Sequence, residues 1–236
     1  MNPGQSATAL HYTDFTRAGT DPDCSRQVVR IYRLQFPALY QAVDTGKLRT
    51  RNGGALQLGG DTLITYHGAI RRIFGRQRDE PGIRRAIRRT LETFSTTSEK
   101  RIVCWDEDRD SLVNNHQLGN MMPFPAGNHS LGNPSLNSLR FSQHLDYFDR
   151  FLVEVEQYYA ARSQYQAVSR MQEAIQHYSS YFDHFGSYER YITDNLLQDF
   201  VGIGLWSIAD FDEFVCVANK IIDDRGRRFH GRLTLS

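Results

Sequence analysis

Chemistry in this chain is to be sought first where two carboxylates and an arginine fall close together. Asp146 and Asp149 are three residues apart, Arg140 stands a few residues upstream, and Asn137 comes one helical turn before that. Residues at this spacing are neighbours on a helix. Asp149 adjoins Phe148 and Leu152, which belong to an apolar stripe. A carboxylate at the edge of such a stripe must be paired, or its acidity shifts. A shared polar pocket would let Arg140 hold an anionic group in two-point contact while one carboxylate works as a general base. The same residues also suit an ion pair that closes a loop onto a helix and performs no chemistry.

Other polar positions offer related readings. Asp199 follows Asn195 by one turn and borders an apolar face. It either joins the same pocket or accepts backbone amides near Gly202. The basic concentration runs from Arg71 to Arg89, where Arg84, Arg85, Arg88 and Arg89 share one helix face opposite Ile83, Ala86 and Ile87. Such a face is either solvated or a phosphate-binding surface for nucleic acid. Aromatic residues are not interleaved with these arginines, unlike the stacking platforms of single-strand binders. His116, His129 and His144, taken with Asp146, invite a metal or nuclease reading. The string from His116 to Asn120 is similar to the tail of one His-Asn-His endonuclease group. The Asp-His pair that precedes it in that group is missing, and the histidines have no ligand-like spacing. No metal site is assigned and no cofactor is expected; a divalent ion enters only with the nuclease reading.

The elements that must position these groups can be read from periodicity. The opening residues, 1–20, are a polar arm, and a helix over 21–45 is interrupted at Pro37. Lys47 to Leu58 surrounds Asn52-Gly53-Gly54, which predicts a tight hairpin turn. Asp61 to His67 is the best strand, rich in β-branched and aromatic residues. His116 to Pro125 is a second strand-like piece, and 127–137 is a Gly-, Asn- and Pro-rich loop. From residue 138 to 234 the chain reads as helical. The first helix has a stripe through Leu145, Phe148, Leu152, Val155 and Tyr159, and three further helices cover 165–185, 188–201 and 211–231, with Gly226 as a break. The predicted fold is α-rich α+β in a single domain. A small antiparallel sheet within 47–125 packs on a C-terminal assembly of about four helices.

With 236 residues, the chain can bury a substantial core, and 40% hydrophobic with 23% charged residues is an ordinary globular composition. A formal net charge of +1 excludes a strong long-range field for nucleic acid or acidic lipid, though not a local patch. Cys24, Cys104 and Cys216 are far apart and odd in number, as expected of free thiols in a reducing cytoplasm. The start shows no secretory pattern, and the longest apolar run, near Phe200 to Ala209, is too short to span a membrane.

Several blocks together resemble an uncharacterised bacterial family known only as a domain of unknown function. They are Asp21-Pro22-Asp23 with Arg30 and Tyr32; Leu118-Gly119-Asn120 with Phe124-Pro125; Asn137 with Arg140; Asp146, Phe148, Asp149 and Tyr158-Tyr159; and Phe182, Phe185-Gly186, Tyr191 and Leu196-Leu197-Gln198-Asp199. His67 is similar to a histidine that follows a Tyr-containing strand in that family. Gly119-Asn120 stands where the family more often has paired glycines. The resemblance implies no activity. The expectation is therefore a cytoplasmic protein with one polar pocket for a phosphate-bearing or other anionic ligand, with or without hydrolysis. Asp146, Asp149 and His67 are its catalytic candidates, and Asn137, Arg140, Asp199 and Arg30 its ligand contacts. The alternatives are a nucleic-acid-directed enzyme and a non-catalytic interaction module.

Overall fold

The computed structural model describes residues 26–74, 105–106, 111–112, 118–145 and 147–235. The architecture is α-rich α+β, as the patterning predicts. Helices α1 (Arg26–Gln35) and α2 (Pro37–Asp44) lead to strand β1 (Leu58–Thr62) and helix α3 (Tyr66–Ile73). Two short strands follow, β2 (Trp105–Asp106) and β3 (Ser111–Leu112), and then β4 (Met121–Pro125). The C-terminal part consists of α4 (Leu136–His144), α5 (Phe148–Ala161), α6 (Arg170–His177), α7 (Ser179–Phe185), α8 (Tyr188–Asp194) and α9 (Phe211–Leu235). β1 pairs antiparallel with β4 in the register Leu58↔Pro125 to Thr62↔Met121, and β2 pairs with β3. The buried apolar side chains of these elements form one contiguous cluster, from Val28 on α1 to Phe229 on α9. Among the described residues, no helix is long and apolar enough to cross a membrane.

Local chemistry explains where elements begin and end. Val28, Ile31 and Tyr32 give α1 its buried stripe, and Pro37 opens α2 at a position where its missing N–H costs nothing. The predicted hairpin turn is present in compact form. Gly53 has φ +82°, Thr50 N donates to Gly54 O at 2.9 Å, and a single bridge joins Arg49 to Ala55. Ser135, Ser169 and Ser187 cap α4, α6 and α8 by accepting an amide three residues on.

The strand expected over Asp61 to His67 is displaced. Extended pairing ends at Thr62, and Tyr66 already opens α3. Beyond Thr62, Asn120 replaces a strand partner. Its backbone O accepts from Leu63 N at 2.8 Å, its Oδ1 accepts from Ile64 N at 2.9 Å, and its Nδ2 donates to Ile64 O at 2.8 Å. The helix that follows is allowed by Gly68, because a Cβ there would lie 1.8 Å from Leu145 O.

The helical half is more broken than its periodicity suggests, with six α-helices in place of four. Leu145 is not part of α5. It takes a left-handed conformation, φ +50°, between α4 and α5. Tyr178 interrupts the long helix expected over 165–185, and its hydroxyl donates to Pro134 O at 2.8 Å and to Ala126 O at 3.2 Å. Leu196, at φ +56°, ends the helix expected to run to 201. Gly226 does not break α9. It marks where the backbone of Gly119 seats on the helix, so that a Cβ on Gly119 would lie 1.9 Å from Ile222 O and 2.8 Å from Gly226 N.

That contact is backbone on backbone, so neither side can yield. Gly119→Ala is expected to cost at least about 3 kcal/mol, the upper range for overpacking, in urea unfolding monitored by circular dichroism. Gly231→Ala, on α9, where an added Cβ meets nothing within 4 Å, is the milder control.

Candidate functional site

Arg140 is fully buried, on α4. Its Nη1 donates to Leu63 O at 2.8 Å, and its Nη2 to Thr62 O at 2.6 Å, Asn137 Oδ1 at 3.2 Å and Asp61 Oδ2 at 3.1 Å. The guanidinium also sits over the Phe148 ring, 5.3 Å from its centroid. Asp61, on β1, is thus an ion-pair partner of Arg140. Asn137 and Arg140 do meet, around a guanidinium that is fully buried. The burial of Arg140 removes the cost of two free carbonyls at the end of β1.

Asp149 sits apart from this knot. It lies in the first turn of α5, is nearly buried, and its Oδ2 accepts from Trp206 N at 3.4 Å. Burial pushes its carboxyl above the ordinary aspartate range, against the pull of the Trp206 and Arg150 amides. Around it, Arg150 stacks on Trp206 at 4.1 Å, and Arg72 lies 5.7 Å from the centroid of the same ring and donates to Tyr147 Oη at 2.9 Å and to Ile208 O. Arg72, the first partner-bound member of the basic stretch, is thus taken up internally, whereas Arg71 is exposed.

Two further candidates lie elsewhere. Asp199 pairs with Arg228 on α9, in place of the backbone amides near Gly202. Arg30 lies on the exposed face of α1. His67 is in the first turn of α3, but its side chain lies outside the described residues, as do Asp146, Arg84, Arg85, Arg88, Arg89 and His116. His144 is buried against Glu154 at 3.7 Å. Burial and the nearby Arg150 hold its pKa below the ordinary value, outweighing Glu154. Among the described residues, no group of three or more His, Cys, Asp or Glu could hold a metal ion.

A different place does bring polar groups together at the surface. The end of α5, the α6–α7 junction and the hairpin at residue 51 enclose a cleft of about 660 Å³. Arg51 and Arg162, both exposed, line it. Arg51 Nη1 donates to Gln176 Oε1 at 2.6 Å, and its backbone N–H donates to His177 O at 2.8 Å. Arg162 ends α5 at φ +34°, a region that ordinary residues avoid at a cost of about 1–3 kcal/mol. Its side chain stacks over the Tyr159 ring at 5.6 Å and donates to Gly186 O. On the inner wall, Tyr158 Oη donates to Asp183 Oδ1 at 2.9 Å. Burial and the adjacent Asp183 push the Tyr158 hydroxyl far above its ordinary pKa, so it stays a protonated donor.

Sequence reasoning passed over Arg51, Arg162 and Asp183 because they come from three separate segments without common spacing. Tyr158 and Gly186 were visible only as members of two motif blocks, and those blocks meet at this cleft. A family model described as a family of unknown function (DUF6994) matches residues 86–225, more than half of the chain. The chain belongs to DUF6994. The matched region contains all of α4 to α8 and most of the cleft wall, while Arg51 is supplied from outside it. No curated protein and no solved structure matches the chain.

Two outcomes follow from the buried groups. Arg140→Met leaves Asp61 buried and without its cation and should cost about 3–5 kcal/mol in denaturant unfolding, with part recovered in Arg140→Met/Asp61→Asn. His144, His177 and His184 all have pKa values lowered chiefly by burial. The unfolded chain therefore binds protons first as pH drops through about 6.5, and stability is full above that pH and lost below it. Thermal melts from pH 7 to pH 5 should show this loss, and His144→Gln should make the slope shallower without abolishing it.

Proposed function

We propose that the protein binds a small anionic ligand, phosphate- or carboxylate-bearing, in the cleft between the end of α5 and the α6–α7 junction. One observation carries the reading: Arg51 and Arg162 line the same cleft, both are exposed, and neither forms an ion pair with a carboxylate among the described residues. This contrasts with Arg140 and Arg228, which pair with Asp61 and Asp199. A guanidinium presents planar paired donors that fit phosphate and carboxylate oxygens. The cleft is of the size that holds small molecules, a few hundred Å³. Its arginines are pre-positioned, Arg162 by Tyr159 and Gly186 and Arg51 by Gln176 and the His177 carbonyl, which lowers the ordering cost of binding.

The reading is of binding; no catalytic step is assigned. Asp149 serves the junction of α5 with the segment around Trp206, and Arg140 serves β1, so neither supports a base in this cleft.

Isothermal titration with inorganic phosphate and phosphorylated or carboxylated small molecules tests it. Binding should weaken with ionic strength because both arginines face solvent. Arg51→Ala and Arg162→Ala should each raise Kd about tenfold, the loss of one charge-assisted contact. Circular dichroism confirms that each variant is folded. Absence of any anion binding by the intact protein, or binding that neither substitution changes, overturns the reading.

A further inference from the structure

The same cleft contains more than its cations, and the remainder narrows the class of ligand. Asp183 lies on the wall with Arg51 and Arg162 but is paired to neither. Its Oδ1 accepts from Tyr158, while its Oδ2 accepts nothing from the described residues. Positive and negative groups thus stand unneutralised in one cavity. A ligand with two anionic ends would set one of them against Asp183, at a Coulomb cost. A ligand with one anionic end and hydrogen-bond donors on its body meets both.

The neighbouring groups are neutral and suited to hydroxyls. Ser179 and Gln176 line the wall, and Gln176 Nε2 already donates to Tyr165 O at 3.3 Å, which holds the amide in place. The apolar part of the wall comes from Tyr158 and Tyr165, whose rings meet edge to face with centroids 5.1 Å apart. The hydroxyl of Tyr165 is closed off from solvent, so this residue offers the cleft its ring and not its oxygen.

We infer that the ligand is a hydroxyl-rich molecule with a single anionic group, a sugar phosphate or sugar acid. The anion lies toward Arg51 and Arg162, and the hydroxyls of the ligand donate to Asp183. This rests on the anion-binding reading of the cleft. Carboxylates accept paired hydroxyls through charge-assisted bonds, and two tyrosine rings give the C–H faces of a sugar an apolar surface.

The experiment is titration of the full chain with glucose 6-phosphate, gluconate, phosphoethanolamine and inorganic phosphate. At least one of the two hydroxylated anions should bind tenfold or more tighter than inorganic phosphate and than phosphoethanolamine. Their relative affinities show whether the anion is phosphate or carboxylate. Asp183→Asn keeps an acceptor for Tyr158 but removes the charge. It should erase most of the advantage of the hydroxylated ligand and leave inorganic phosphate unchanged or tighter. An unchanged melting temperature of Asp183→Asn keeps binding separate from folding. Equal affinity for inorganic phosphate and both hydroxylated ligands overturns this inference and leaves the anion reading standing, as does a preference for the amine. Failure of all four to bind ends both.

Discussion

The described structure depends on how two irregular stretches of backbone, 61–64 and 118–121, satisfy their carbonyls inside the core. The β1–β4 pair supplies hydrogen bonds only as far as Thr62 and Met121, and beyond it the chain stays buried. Two arginines complete the accounting. Arg140 takes the carbonyls of Thr62 and Leu63, and Arg225 on α9 takes those of Leu118, Gly119, Met121 and Asn195. Both are fully buried. A buried guanidinium costs several kcal/mol in lost hydration, and it is tolerated where its fixed donors are engaged. Each arginine also stacks on a phenylalanine, Phe148 or Phe229, which covers the face that makes no hydrogen bonds. The fold is therefore fastened by cations at the point where a longer sheet would have continued.

Tyrosines repeat the device in the helical half. Tyr181 donates to Pro123 O at 3.0 Å, Tyr178 to Pro134 O, and Tyr159 to Phe182 O. Pro123 lies in β4, and the others lie at a loop and at a helix end. Each ring buries a large apolar area while its hydroxyl satisfies a carbonyl that regular structure leaves open. Burial is the first cause of the raised hydroxyl pKa of Tyr178, to about 12, and it raises that of Tyr181 well above its ordinary value. These groups stay protonated donors across the range in which proteins are folded. The rings of Tyr181, Phe182, Phe185 and Tyr191 meet mostly edge to face, so the same residues that close the backbone also fill the core.

This explains what was legible in the sequence. Stripes such as Val28-Ile31-Tyr32 and Leu152-Val155 appear directly, because each depends only on its own periodicity. The Asn-Gly turn is also local and was readable. The breaks were not, because they are made elsewhere in the chain. Tyr178 interrupts a helix in order to reach Pro134, and Leu145 takes a left-handed turn beside Gly68. Asp61 to His67 has strand composition, yet it turns helical after Thr65, because Asn120 and Arg140 take over its hydrogen bonds. The site suffered in the same way. Spacing offered Asp146 or Asp149 as a partner of Arg140 and could not reveal Asp61, with which it pairs, because Asp61 is 79 residues away along the chain.

Burial separates the arginines into two kinds, and sequence carries no sign of it. Arg140 and Arg225 donate to buried backbone carbonyls and stack on rings, so an external anion would have to displace hydrogen bonds that hold the sheet in place. Arg51 and Arg162 make fewer contacts and face solvent, so they can meet a ligand without loss to the fold. The region matched to DUF6994 includes Arg162 and Asp183 but not Arg51. The hairpin that bears Arg51 is docked by specific bonds: Arg49 N donates to Ser180 Oγ at 3.0 Å, Ser180 Oγ donates to Arg49 O at 2.5 Å, and Arg51 N donates to His177 O. These bonds fix the hairpin to the α6–α7 junction, the same junction that presents Gln176, Ser179 and Asp183. The break at Tyr178 thus has a consequence beyond packing. It turns the His177 carbonyl outward to receive the hairpin, and the arginine of the N-terminal half comes to stand beside the wall built by the C-terminal half.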